Sequence, residues 1–200
     1  PPLLAPLQAP DWRNRTFARS SVLEAALLLF NAGDRTLAKR FFLHLAEGLG
    51  PQDTASLANL ALTIHEPHVA VLIAKQAAER GVILPAAYFP MPDLVPAEGL
   101  AVSRAFALAI ARRESEFDPA AQSPVGARGL MQLMPETARR TAAEIGQPYE
   151  LARLTSDPAY NATLGSAYLA KLVDEFGPSI ALVASGYNAG PGRPRRWITE

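Results

Sequence analysis

The stretch Ile110-Ala-Arg-Arg-Glu114-Ser-Glu-Phe-Asp118-Pro-Ala-Ala-Gln-Ser123-Pro-Val-Gly126-Ala-Arg-Gly129-Leu-Met-Gln132-Leu-Met134-Pro135 decides how the chain reads. It begins inside an Ala-rich segment that predicts a helix from Ala101 to about Phe117. Phe106, Ile110 and Glu114 follow one another at steps of four and so project from one face. A carboxylate thus continues an apolar stripe just before Asp118-Pro119, where the proline ring ends a helix. Apolar walls penalise the anion, and the unpaired carbonyls of a helix C-terminus repel it, so both raise the carboxyl pKa. A carboxyl protonated near neutral pH is what a general acid requires. Position alone does not separate this reading from that of a solvated surface glutamate.

The residues that follow do separate them. Ser123 to Gly129 is a loop punctuated by Pro124, Gly126 and Gly129, a spacing that predicts tight turns or close backbone approach to a ligand. Gln132 is an uncharged donor and acceptor set among Leu130, Met131, Leu133 and Met134, which suits a neutral polar ligand such as a sugar amide.

The pattern Glu114-Ser115-x-Phe117-Asp118-Pro119, Ser123-x-x-Gly126-Ala127-x-Gly129-Leu130-Met131-Gln132-x-Met134-Pro135 resembles the soluble lytic murein transglycosylases, the SLT domain of glycoside hydrolase family 23. Asn161-x-x-x-Gly165-x-x-Tyr168-Leu169 and Tyr187-Asn188-Ala189-Gly190 follow in the order that the family shows. The resemblance runs from about Pro85 to Trp197. It implies a mostly α chain whose lysozyme-like catalytic domain, residues 85–200, is preceded over residues 1–84 by α-superhelical helix hairpins. It also implies cleavage of peptidoglycan glycan strands in the periplasm, without metal or cofactor. Glu114 is carried over as the acid and base. Ser123, Gln132, Met134, Tyr187 and Asn188 would line the sugar groove, and Ser115, Gly129, Asn161 and Tyr168 would support it.

Composition agrees with a globular chain. Its 200 residues carry zero formal net charge at pH 7, which removes the electrostatic footprint of a nucleic-acid binder. No apolar run reaches membrane-spanning length. The absence of cysteine excludes disulfides and thiolate metal sites. The chain opens on Pro1-Pro2 without a signal-peptide pattern, so a processed or trimmed product is expected, its C-terminus short of the family's last helices. Oligomeric state is not legible.

In the amino-terminal half, Pro1 to about Pro10 reads as an extended lead-in, and four apolar-periodic helices follow. Shifting the sequence by about 34 residues lays Leu23, Ala26, Leu27 and Phe30 over Leu57, Leu60, Ala61 and Ile64, the period of helix-hairpin solenoids. Asp53 is expected to cap the third helix. His65-x-x-His68 spans a Glu-Pro turn and lacks further ligands, so no metal site is expected. Val82 to Gly99, rich in proline and aromatics, reads as a linker.

In the other half, helices are expected from Pro135 to Gly146, from Asp157-Pro158 to Phe176, and from Ser179 to about Ala189. Asn161, Leu164, Gly165, Tyr168 and Leu172 share a face, where a buried Asn must be hydrogen-bonded and so braces a neighbouring loop. Ordinary glycosidases flank the bond with two carboxylates. Here Glu116 points elsewhere, Asp118 is a turn residue, and Ser123 to Pro135 contains no acid. That favours a single-acid route yielding 1,6-anhydromuramyl ends, with a lysozyme-type hydrolase or a non-catalytic glycan-binding module as the alternatives. Two positions depart from the family: Gly186 stands where Ala is usual, and Pro194 where an aliphatic residue is usual.

Overall fold

The computed structural model describes residues 9–199, and most of the expected lead-in lies outside them. The chain is mostly α, as the periodicity predicts, and divides between Pro92 and Asp93 into two compact units.

The first unit opens with 3-10 turns at Trp12–Asn14 and Thr16–Arg19, then α1 (Ser21–Asn31), α2 (Arg35–Glu47), α3 (Pro51–Thr63), α4 (Pro67–Glu79) and α5 (Pro85–Tyr88). Ser20 accepts the Val22 N–H at the start of α1, and Asp34 accepts the Leu37 N–H at the start of α2. Connections of a few residues fold α1 onto α2 and α3 onto α4 as hairpins, and α2 packs on α4. The two hairpins bury corresponding residues: Leu23 and Ala26 in one, Leu57 and Leu60 in the other. Phe42 is fully buried and meets Phe30 edge-on at 5.5 Å. Asp53 does not cap α3. Pro51 sets the first helical φ, Gly50 takes the cap position, and Asp53 lies in the first turn paired with Arg15. Leu84 and Ala87 are buried in this unit's core, so Val82 onward is not a free linker; the unit runs past residue 84 to Pro92.

The second unit contains α6 (Arg104–Glu114), α7 (Pro135–Glu144), α8 (Arg153–Ser156), α9 (Pro158–Phe176), α10 (Ile180–Ala189) and α11 (Gly192–Thr199). The central helix α9 packs against α6, α7, α8 and α10. Its N-terminus is capped by Asp157, whose carboxylate accepts the Tyr160 N–H at 2.9 Å. Leu133, Ala138, Leu154 and Leu164 form a core against which Tyr168 and Tyr187 lie half-buried. Gly186 and Pro194 meet: a Cβ at Gly186 would stand 3.2 Å from the Phe176 ring and 3.6 Å from Pro194 Cγ.

The helix carrying Glu114 is shorter than its composition predicts. It ends at Glu114, before Asp118-Pro119, because Glu116 and Phe117 both take left-handed backbone, with φ of 54° and 65°. Such a conformation costs a non-glycine residue roughly 1–2 kcal/mol, and burial of the Phe117 ring opposes that cost.

Candidate functional site

Glu114 is the last residue of α6, and its carboxyl is half-buried. Burial pushes its pKa up from the ordinary value, and the neighbouring Arg113 guanidinium offsets part of that. Among the described residues, no hydrogen-bond donor of the protein meets the carboxyl. Burial thus disfavours the anion, and Arg113 acts in its favour.

Ser115 joins the end of α6 to the loop. Its hydroxyl lies 2.6 Å from the Leu130 carbonyl and 3.2 Å from that of Ala111. The loop itself is a small antiparallel meander bridged at Gln122–Arg128 and Arg128–Leu133. The Gly129 N–H donates to the Ala121 carbonyl, and the Gly126 N–H donates to that of Ser123. The Ser123 Oγ accepts the Ala127 N–H at 3.0 Å, so this side chain shapes its own turn and keeps one hydroxyl proton to donate. Gln132, left-handed at φ 49°, spends its amide N–H groups on the Ala121 and Gly129 carbonyls and leaves its side-chain oxygen to accept.

Asn161 holds the loop from below. It is fully buried; its side-chain oxygen accepts the Met131 N–H at 2.8 Å, and its amide donates to the Arg128 and Leu154 carbonyls. All of its polar capacity but one lone pair is used on backbone. Two glycines make this contact possible. A Cβ on Gly129 would stand 1.8 Å from the Leu154 carbonyl oxygen, and one on Gly165 would stand 2.5 Å from the Met131 sulfur.

From α10, the Tyr187 hydroxyl donates to the Met131 carbonyl at 2.8 Å rather than to the carboxyl of Glu114. Its phenol is held well above the usual pKa by burial first, then by Glu114 and Tyr168, so it stays neutral beside the acid. Tyr168 sits with its ring 5.5 Å from that of Tyr187. Met134 and Asn188 are exposed, free to face solvent or a ligand. Glu114, Ser115, Gln132, Asn161, Tyr168 and Tyr187 are therefore joined through one loop, while Met134 at the end of that loop and Asn188 of α10 are exposed.

Two features had no reading in the sequence. The paired left-handed residues Glu116 and Phe117 carry no compositional mark, since neither type favours that region. The roles of the Ala121, Leu130 and Met131 carbonyls are invisible because every residue has one. Gly165 did leave a signal, an isolated glycine inside a helix. A cavity of about 380 Å³ lies elsewhere in this unit, lined by Val102, Phe106, Val173, Ile180 and Val183. It is near the opposite end of α6, roughly 12 Å along the helix from Glu114, and its lining is apolar except for Ser103 and Asp174.

No group of three His, Asp or Glu residues among the described residues is arranged to hold a metal. The two histidines of the amino-terminal turn diverge: His65 is exposed, and the His68 ring lies 3.3 Å from Lys39 Nζ. No helix of the described residues is long and apolar enough to cross a membrane.

Comparison with known proteins gives concordant results. The soluble lytic murein transglycosylase of Escherichia coli (strain K12) is 42% identical over 101 residues, covering 50% of this chain and 16% of that protein. The membrane-bound lytic murein transglycosylase C of Histophilus somni (strain 2336) is 34% identical over 102 residues, covering 46% of this chain and 28% of that one. The crystal structure of the 70 kDa soluble lytic transglycosylase of Escherichia coli superposes with a TM-score of 0.83 at 29% identity, over 98% of this chain and 32% of that chain. A complex of a 70-kDa soluble lytic transglycosylase with bulgecin A gives a TM-score of 0.82 at 29% identity, over 96% of this chain and 32% of that chain. Lytic transglycosylase Slt of Pseudomonas aeruginosa, solved as an inactive glutamate-to-glutamine variant, gives 0.78 at 32% identity over 94% of this chain and 30% of that one. The chain thus spans under a third of the length of these relatives, and its helical architecture is that of their lysozyme-like structures. The Transglycosylase SLT domain profile matches residues 96–200, more than half of the sequence, and the chain belongs to that family.

Proposed function

We propose that the chain is a peptidoglycan lytic transglycosylase in which Glu114 serves first as acid and then as base. Glu114 gives its proton to the glycosidic oxygen between N-acetylmuramic acid and N-acetylglucosamine, and the C1–O4 bond breaks. The muramic N-acetyl oxygen bonds to C1 and takes up the developing positive charge. The Glu114 carboxylate then removes the proton of the muramic C6 hydroxyl, O6 displaces the acetamido oxygen at C1, and a 1,6-anhydro ring closes. The acid is restored without water. Gln132's free side-chain oxygen, Ser123's remaining proton, Met134 and Asn188 are the groups offered to the sugars, with the periplasm as the compartment.

One observation carries this reading: the Glu114 carboxyl is half-buried with its pKa raised, and among the described residues no second carboxylate acts on it. Glu116 lies near Arg112, and Asp118 accepts the Ala120 N–H at 2.9 Å. A two-acid hydrolysis would need a partner across the bond. The neighbour inactivated by exchange of a glutamate for glutamine is in keeping with a single indispensable acid.

Mass spectrometry of digested peptidoglycan tests it. Products lighter by one water than reducing muropeptides are expected, and reducing ends alone would make the enzyme a hydrolase. Glu114→Gln is expected to lower the cleavage rate by about 10²–10⁴-fold. Cell-wall clearing that survives this change would leave only a glycan-binding role.

A further inference from the structure

Among the described residues, the non-glycine positions with left-handed backbone are His65, Glu116, Phe117 and Gln132. Three of these four lie close to Glu114: two stand two and three residues after it, and the third lies in the loop strapped to Ser115. Unfavourable backbone persists only where its surroundings over-determine it, and it gathers at functional sites. We propose that Glu116 is a positioning residue for Glu114, its left-handed backbone serving to turn the chain back under the loop and hold the acid in place. This rests on the transglycosylase reading of Glu114.

The connections run as follows. A helix continued through Phe117 would carry the chain a further turn along the axis of α6. The left-handed pair instead sends the Phe117 ring into the core and brings Ala121 back beneath the loop. There the Ala121 carbonyl receives the Gly129 N–H at 2.8 Å and the Gln132 amide at 3.1 Å. The Ser115 hydroxyl makes a second strap at the Leu130 carbonyl. Glu114 therefore sits at the end of a helix whose exit is tied to the loop on both sides. Relaxation at Glu116 would loosen both straps and admit water to the carboxyl. The groups acting on that carboxyl are Arg113 beside it and Tyr187 of α10, itself against Tyr168 of α9. From the loop, Arg128 is turned to Gln122.

The test compares two substitutions that both remove the Glu116 carboxyl and differ in how they tolerate left-handed backbone. Glu116→Gly takes up that backbone without cost, and Glu116→Val, branched at Cβ, is driven out of it. The valine variant is expected to melt about 3 °C or more below the glycine variant and to cleave glycan roughly tenfold more slowly per folded molecule. The Glu114 carboxyl, followed by carbon NMR, should titrate lower in the valine variant, and the alkaline limb of its rate profile should move down with it. Glu116→Asn tolerates left-handed backbone with a side chain present and should group with glycine; Glu116→Ala stands in if valine does not fold. Equal rates and superimposable Glu114 titrations in the glycine and valine variants overturn the proposal, whatever the order of melting. So does an asparagine variant as slow as valine. The NMR titration does not depend on turnover, so it still decides the positioning role if Glu114→Gln shows that the acid is not the catalyst.

Discussion

The two units of this chain are held together by different forces. In the first, the hairpins close over Leu23, Phe42, Leu57 and Ile73, all fully or nearly fully buried, and small residues such as Ala26, Ala58 and Ala70 let the helices approach. Hydrophobic burial is non-directional, so this unit's order follows from where apolar residues recur. In the second, the loop beside Glu114 is irregular backbone whose polar groups must each find a partner. Asn161, Ser115, Gln132 and Tyr187 supply those partners across long sequence separations. Removing water from apolar surface builds the first unit, whereas directional hydrogen bonds set the geometry of the second.

That contrast can be broken by mutation. Phe42→Ala is expected to cost about 4 kcal/mol, read as a lower denaturant midpoint, while the Glu114 titration stays where it was. A shifted titration would mean that the apolar unit helps to set the acid. Asn161→Ala should cost about 3 kcal/mol, because it strands the Met131 N–H and two carbonyls. It should also slow glycan cleavage beyond what the loss of folded protein explains. If the rate per folded molecule is unchanged, Asn161 is packing and not a brace of the site.

A pH series sharpens the same comparison through Glu114. Its pKa is raised in the folded chain, so the folded state binds the proton more tightly than the unfolded one. Stability contributed by that proton is present at low pH and lost as pH rises from the unfolded value through the folded one. Glu114→Gln should therefore melt above the parent at neutral pH, a gain in stability that accompanies the loss of activity. The smallest effect is expected at Asp157, whose pKa is lowered by the Tyr160 N–H and then by Arg153. Its contribution is present above the unfolded carboxylate value and fades as pH falls through the folded one. Asp157→Ala should cost about 1 kcal/mol as a lost cap, with no difference from the parent at pH well below the carboxylate range.

Periodicity made the first unit's helices readable because one side of each must face the core, and the repeat of Leu23-Ala26 in Leu57-Leu60 follows from that requirement alone. It misplaced the cap at Asp53, since Pro51 upstream sets the first turn without a side-chain acceptor. In the second unit the candidate site residues, Glu114, Gln132, Asn161 and Tyr187 among them, could be named from the family resemblance. Their partners could not, because those partners are backbone carbonyls. The end of α6 was placed too late for a related reason: Pro119 is a visible stop, whereas the left-handed turn at Glu116 arises from tertiary packing of Phe117 and has no local signature.

The three methionines differ in how an oxidant would meet them. Met91 and Met134 are exposed at 76% and 42%, and their thioethers are the ones that peroxide can reach. Met131 has no exposed surface, and its sulfur is pressed against the α9 backbone at Gly165, where even a methyl group does not fit. A sulfoxide oxygen has no room there, so oxidative damage should accumulate at the chain's rim while the residue whose backbone Asn161 and Tyr187 grip stays chemically intact.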